Sequence, residues 1–181
     1  PGSPQDIPWD EARQIVVGAC RAFSDDIGAI VERFFAGRWI DAALRPGKRG
    51  GAFCAANTPD THPYVLLNYT GKPRDVMTLG HELGHGIHDV LSSGQSILEY
   101  HPPLALAETA SVFGEILVFD ALRQRLADPR ERLAFLASKI EDIFATTFRQ
   151  IAMYRFEQRV HRLRRQQGEL DADLFGQVWQ E

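Results

Sequence analysis

Residues 78–88 read TLGHELGHGIH and concentrate titratable side chains within an apolar helical pattern. They hold three of the six histidines of the chain. On a helix, His81 and His85 lie about 40° apart around the axis, so their imidazoles can meet at one ion. Glu82 can reach a water molecule at that ion and accept its proton, which is the chemistry of the H-E-x-x-H pattern. The segment predicts a zinc site with two histidine ligands and a glutamate base. The alternative is an ordinary helix with core or surface histidines.

A catalytic zinc needs a third protein ligand as well as an open position. His88 lies about 10 Å along the helix from His81, too far to share one ion, and Leu91 stands where longer zinc motifs carry a third histidine. Glu108 is a carboxylate on an apolar helical face, which is costly unless it is paired or metal-bound, so we predict it as the third ligand. Glu115, on the same face, and His88 are candidates for orienting the ligands without binding the ion. The alternative for both glutamates is an ordinary buried hydrogen bond or a solvent-facing position.

Helical periodicity predicts the elements that position these residues. The zinc helix follows Pro73, with Asp75 as its cap and Gly94 at its end. The apolar run 64–69 is bounded by turn residues and predicts a strand, with GGAFCAA (50–56) as its hairpin partner. The predicted fold class is mainly α, a helical bundle with a small β-hairpin or sheet beside the zinc helix. The other predicted helices cover 9–23, 24–35, 102–127, 130–167 and 171–181.

Composition limits the classes of partner. The chain has 181 residues, 44% of them apolar and 24% charged, which suits one domain with its own core. A net charge of −4 gives no reason to expect nucleic acid or an anionic membrane as the main partner. No apolar run approaches a membrane span, and the N-terminus lacks the regions of a signal peptide. Cys20 and Cys54 form no CxxC pair, so a reducing, cytoplasmic setting is expected. Residues 1–8 read as a linker, and residues 9–181 as the domain core.

The motifs HELGHGIH and AETASVFGE together resemble the oligoendopeptidase F and thimet oligopeptidase family of zinc peptidases. The similarity extends to RWIDAALRPGKRGGAFC, HPYVLLNYTG and FRQIAMYRFEQRVH, and it covers nearly the whole chain from Trp9 onward. The resemblance implies a gluzincin-like catalytic core with one zinc ion per chain, held by His81, His85 and Glu108. It also implies hydrolysis of short peptides by a zinc-activated water, with Glu82 as general base and proton shuttle.

The resemblance further implies where a substrate binds. The strand at 64–69 would lie beside the cleft, where a peptide could add as an extra strand. His101 sits where relatives also place a histidine, and it is a candidate for substrate contact. An ordinary loop histidine is the alternative. Asn68, within the predicted strand, is a second candidate for contact with the peptide.

The sequence departs from this family in two places. Relatives supply an oxyanion donor from a Tyr-rich segment downstream of the long helix, whereas the four tyrosines here lie at or before that helix. A large N-terminal helical region of the relatives also has no counterpart. We therefore expect an excised core of a catalytic domain that binds zinc but hydrolyses peptides weakly or not at all. Apolar surface exposed in this way could support a homodimer.

Two competing interpretations stay open at the level of sequence. The first is a non-catalytic zinc-binding or interaction domain that uses the same ligands. The second is a nucleic-acid patch formed by the arginines of RFEQRVHRLRRQQG. The simpler explanation of these arginines is a solvated helix end, where positive charge is favoured by the helix dipole.

Overall fold

The computed structural model describes residues 6–180 and divides the chain into two compact units, Pro1–Leu126 and Ala127–Glu181. The expectation of a mainly α fold with a small sheet is confirmed. The described residues form these helices and strands: α1 Trp9–Phe23, α2 Asp25–Ala36, β1 Ile40–Asp41, β2 Phe53–Ala55, β3 Tyr64–Leu66, α3 Pro73–Ser92, α4 Leu104–Arg125, α5 Pro129–Gln167 and α6 Ala172–Gln180.

Helix α3 carries the H-E-x-x-H motif, as predicted, but it begins three residues earlier than expected. Pro73 occupies its first position, where the missing N–H costs nothing and the fixed φ suits a helix. Asp75 lies inside the first turn, and its carboxylate accepts hydrogen bonds from the backbone N–H groups of Thr70 (2.8 Å) and Lys72 (3.1 Å). Asp75 therefore caps the helix start as predicted, but it does so from the third helical residue and not from the position before the helix. The helix ends at Ser92, two residues before the predicted stop.

The small sheet has the order β1-β3-β2. Strand β2 pairs with β3 in the antiparallel sense, which confirms the predicted partner segment, and β1 pairs with β3 in the parallel sense. The sequence did not predict β1, because two residues carry no readable alternation. Both edges of β3 are thus paired, so the expectation that a peptide could add to β3 is wrong. Among the described residues, the edge of β2 that faces away from β3 pairs with no other strand, and it is here called the free edge of β2.

Small residues bring α3 and α4 close together in the first unit. A Cβ atom added to Gly84 would lie 2.5 Å from the carbonyl oxygen of Ala110, and one added to Gly80 would lie 2.6 Å from a methyl of Val118. On α4, a Cβ atom on Gly114 would lie 2.6 Å from the carbonyl oxygen of Gly80. Such separations exclude any larger residue, so the glycines determine how closely the two helices approach. The close approach brings the histidines of α3 within reach of the glutamates of α4.

The second unit consists of α5 and α6. Asp128 caps α5 by accepting a hydrogen bond from the N–H of Arg130 (2.8 Å), and Gly168 ends the helix with a positive φ of 85°. Phe156 of α5 contacts Trp179 of α6, with ring centroids 5.2 Å apart.

Within residues 6–180, none of the helices combines the length and apolar character that crossing a bilayer requires. One side of α5, here named the α5 apolar face, exposes large side chains at helical spacing: Leu133, Ile140, Ile143, Phe144, Phe148, Ile151 and Tyr154.

Candidate metal centre

Three side chains from α3 and α4 converge on one point. Nε2 of His81 lies 3.5 Å from Oε2 of Glu108, and Nε2 of His85 lies 3.8 Å from Oε1 of the same carboxylate. One potential ligand atom from each of the three residues lies within 4.8 Å of the others. Ligands of a tetrahedral zinc with bonds near 2.05 Å are separated by about 3.3 Å. The donor set and its spacing therefore fit a metal ion of this size.

Glu115 orients the first histidine of the motif. Its Oε2 atom lies 3.0 Å from Nδ1 of His81 and accepts the hydrogen bond from that nitrogen. This hydrogen bond is the largest cause of a raised pKa for His81, and burial acts in the opposite direction. A proton on Nδ1 leaves the lone pair of Nε2 directed at the carboxylate of Glu108, where an ion would be bound. This hydrogen bond is the contact that the predicted orienting role of Glu115 would require.

Neighbouring groups also act on the other two members of the group. The pKa of His85 is lowered, mainly by burial, while the carboxylate of Glu108 acts in the opposite direction. A lowered pKa favours the neutral imidazole, which is the form that binds metals. The hydroxyl of Ser111 donates to Oε2 of Glu108 at 2.9 Å. Ser111 was not among the residues predicted from the sequence. The feature that could have indicated it is a small polar side chain three positions after a predicted ligand, on the same helical face.

Glu82 is buried beside this group, with 7% of its surface exposed. Burial raises its pKa, while the positive charge of a protonated His81 acts in the opposite direction. A carboxylate with a raised pKa is a stronger base than an ordinary solvated one, because its charged form is poorly hydrated. The side chain is therefore chemically suited to accept a proton.

The remaining predicted residues take other places. His88 does not join the ligand group that the described residues form. Nε2 of His101 lies 3.2 Å from the carbonyl oxygen of Asn57, just after β2. The side chain of Asn68 donates to the carbonyl of Arg49 (2.9 Å), in the segment before β2. Both substrate candidates thus hold the backbone on either side of β2.

Fold and site together define a class, namely α-rich proteins with a two-histidine, one-carboxylate candidate metal site built from two helices. The family model for Peptidase family M3 matches residues 24–181, and the chain belongs to this family. Relatives agree with this assignment. Oligoendopeptidase F (chromosomal) of Lactococcus lactis subsp. cremoris is 35% identical over 140 residues, covering 77% of this chain and 23% of that protein. Oligopeptidase PepF of Bacillus subtilis is 29% identical over 175 residues, covering 96% of this chain and 26% of that protein.

Solved structures show the same fold. A crystal structure from Chlamydophila abortus, of a protein described as a peptidase, superposes with a TM-score of 0.75 at 28% identity. The match covers 97% of this chain and 30% of that one. The chain thus spans about a quarter of the length of the curated relatives given above.

Proposed function

We propose that this chain is the core of a zinc-dependent metalloendopeptidase that acts on short peptides. The observation that carries the proposal is the convergence of His81, His85 and Glu108 within 4.8 Å, with Glu82 buried on the same helix between the two histidines. Family membership supports a peptidase, and the names of the relatives support oligopeptides as the substrate class. The same site would serve a non-catalytic zinc-binding domain if turnover were absent.

His81, His85 and Glu108 would hold the ion, and Glu115 and Ser111 would keep two of these ligands in position. Zinc, when bound, supplies a Lewis acid that polarises a carbonyl group and lowers the pKa of water. Glu82 accepts a proton from the water that attacks the peptide carbonyl carbon and delivers it to the amide nitrogen as the C–N bond breaks. The products are then a carboxylic acid and an amine, and the carboxylate of Glu82 is regenerated.

The free edge of β2 is the proposed docking line for the peptide backbone. Cys54 pairs with Val65 of β3. The N–H of Val65 donates to the carbonyl oxygen of Trp39, in the loop before β1, at 2.9 Å. The backbone N–H and C=O of Cys54 therefore point away from β3, toward the free edge. The backbone of Cys54 lies near enough to the Glu82 carboxylate to lower its pKa, so this edge lies close to the base. A peptide that adds to β2 as an extra strand would pass beside the base that acts on it.

Metal content is the first test of this proposal. We expect the chain purified without added metal, or reconstituted with zinc, to hold one zinc per chain, and Glu108→Ala to lose it. Glu141→Ala, an exposed glutamate of α5, is the matched control and should retain the metal. Zinc retained in Glu108→Ala would exclude this residue as the third ligand. No zinc in the wild type would contradict the proposed site.

Turnover is the second test, with quenched peptides of about ten residues as substrates. Zinc-dependent hydrolysis that falls by a factor of 10³ or more in Glu82→Gln would establish the role of the base. Zinc binding without measurable hydrolysis would identify a non-catalytic zinc domain in this chain. Hydrolysis that survives in Glu82→Gln would contradict the mechanism.

A further inference from the structure

An arginine side chain lies above an aromatic ring of β2, on the side of the sheet that points away from α3. The guanidinium carbon of Arg49 lies 5.4 Å from the centroid of the Phe53 ring, within the range of a cation–π contact. The next residue, Cys54, has its thiol 3.6 Å from Asp89 of α3. Successive side chains of a strand point to opposite faces, so Phe53 lies on the face opposite α3, here named the outer face of the sheet.

Phe53 is the last member of a row of side chains that crosses this outer face. Asp41 of β1 pairs with Leu66 of β3, and Leu66 pairs with Phe53 of β2. A peptide added at the free edge of β2 would extend the row by one side chain. In an antiparallel addition, the backbone of Cys54 would make the hydrogen bonds. The peptide side chain opposite Phe53 would then have its Cβ atom about 5 Å from that of Phe53.

The two arginines beside this row differ in how their charges are paired. At the β1 end, the carboxylate of Asp41 accepts from Arg45 at 2.5 Å and from Lys48 at 3.1 Å. At the β2 end, Arg49 is exposed. Within residues 6–180, no carboxylate forms an ion pair with it. The place where a peptide side chain would join the row therefore offers a positive charge beside an apolar ring.

The backbone that carries Arg49 is held in place by Asn68 of the segment after β3. The side-chain Nδ2 of Asn68 donates to the carbonyl of Arg49 at 2.9 Å and to that of Gly51 at 3.1 Å. Gly51 has a φ of 82°, a left-handed conformation that favours glycine. An anchored backbone lowers the ordering cost of binding a ligand through the guanidinium.

We propose that Arg49 and Phe53 form a subsite for an acidic side chain of the bound peptide. The inference rests on the proposed peptidase function and names a substrate class, peptides that carry a glutamate opposite Phe53. The carboxylate would accept hydrogen bonds from the guanidinium, while the methylene groups would pack on the ring. A lysine at the same peptide position would meet a like charge. Arg49 is thus a specificity-determining residue.

Peptide binding to the metal-free full chain tests this subsite without requiring turnover. The probes are acetylated and amidated decapeptides of uncharged sequence with one Glu, Gln or Lys, moved along the peptide one position at a time. In NMR titrations of the ¹⁵N-labelled chain, the best Glu peptide should bind about threefold more tightly than its Gln counterpart, and the Lys counterpart should bind more weakly than either. High salt should reduce the preference, because the charges are exposed. The amide shifts that differ most between the Glu and Gln peptides should fall within residues 49–54.

Two variants of Arg49 test the assignment to this side chain. Arg49→Gln should bind the Glu and Gln peptides equally, and Arg49→Glu should bind the Lys peptide more tightly than the Glu peptide. Arg13→Glu is the matched control, because Arg13 of α1 is also exposed and lies 5.5 Å from the centroid of Phe35. It makes the same change of net charge and should keep the preference of the wild type.

Three results would overturn the subsite: equal binding of the Glu, Gln and Lys peptides by the wild type, an equal loss of the preference in Arg13→Glu, or shift differences centred away from residues 49–54. A chain that binds none of the peptides would contradict the docking edge together with the subsite. Zinc content and hydrolysis are measured separately on the same samples. A wild type without zinc would count against the proposed function, while the affinities of the metal-free chain would still decide the role of Arg49.

Discussion

Single hydrogen bonds orient two of the three candidate metal ligands on α3 and α4. Glu115 accepts from Nδ1 of His81, and Ser111 donates to Glu108. Outer partners of this kind fix the ring tautomer and the direction of the lone pair, and their loss weakens metal binding by one to two orders of magnitude in other sites. The ligands named by the motif are therefore only part of the site.

We predict that Glu115→Ala lowers zinc affinity by about 10- to 100-fold, because the imidazole of His81 is then free to rotate and change tautomer. Competition with a chromophoric chelator measures the effect. The zinc affinity of Glu115→Gln should lie between those of the wild type and Glu115→Ala, since glutamine keeps an acceptor but loses the charge. An affinity equal to the wild type in Glu115→Ala would show that packing alone orients the ring.

In the sheet region, one buried side chain, that of Lys48, donates hydrogen bonds to several backbone carbonyl groups. Its side chain is only 2% exposed, and its Nζ atom donates to the carbonyls of Asp41, Ala43 and Leu67 at 2.8–2.9 Å. We predict that Lys48→Met lowers the free energy of unfolding by about 2–3 kcal/mol, because these acceptors lose their donor. Urea unfolding measures the change. Lys72→Met, at an exposed ion pair, is the control and should change stability by no more than about 0.5 kcal/mol.

At the scale of elements, the crossing of α3 and α4 builds the candidate centre. The two histidines are on α3 and both acidic partners are on α4, so the distance between the helices decides whether one ion can be shared. Gly80, Gly84 and Gly114 permit that distance because none of them places a Cβ atom in the interface. Gly84, which lies inside the H-E-x-x-H motif, is therefore needed for the close approach of α3 and α4.

We predict that Gly84→Ala reduces zinc affinity by at least tenfold, because its Cβ would lie 2.5 Å from the Ala110 carbonyl oxygen and push the helices apart. Gly18→Ala, in α1, is the matched control, since a Cβ atom there meets nothing within 4 Å. It should bind zinc as the wild type does and be as stable or more so. Unchanged zinc affinity in Gly84→Ala would mean that the helix crossing tolerates expansion without loss of the site.

The α5 apolar face is a second feature that belongs to whole elements. Its seven large side chains are each more than half exposed, and together they present on the order of 800 Å² of surface, about what one partner of a stable interface buries. We predict that the chain self-associates through this face, detected as concentration-dependent sedimentation. Phe144→Glu combined with Ile151→Glu should yield a monomer, whereas Ser138→Glu, on the opposite side of α5, should not. A wild type that stays monomeric at high concentration would contradict the prediction.

At the scale of the whole molecule, the two units have separate roles. Every residue named in the candidate centre, from Cys54 to Glu115, lies in the first unit, and the α5 apolar face lies in the second. We predict that a chain shortened to residues 1–126 keeps its zinc affinity within about twofold and loses self-association. Isothermal titration with zinc measures the affinity, and sedimentation measures self-association. A shortened chain that folds but cannot bind zinc would show that the second unit contributes to the site.

Local geometry explains how much of this site was predictable from the sequence. His81, Glu82 and His85 follow from helical spacing alone, because residues within one or two turns have nearly fixed mutual positions. Glu108 stood out as a carboxylate in an apolar helical pattern. The helices were also predictable, since their periodicity and their Pro and Gly boundaries are local signals.

Contacts between distant segments decided the rest. The central place of β3, the parallel pairing of β1 and the free edge of β2 depend on strand order, which two- and three-residue strands do not encode in their pattern. Cys54 meets Asp89 across 35 residues, and His101 meets Asn57 across 44. Only tertiary packing brings such pairs together. The sequence by itself determined which groups can do the chemistry, because that depends on helical spacing. The tertiary structure decided which groups hold them in place, because that depends on long-range packing.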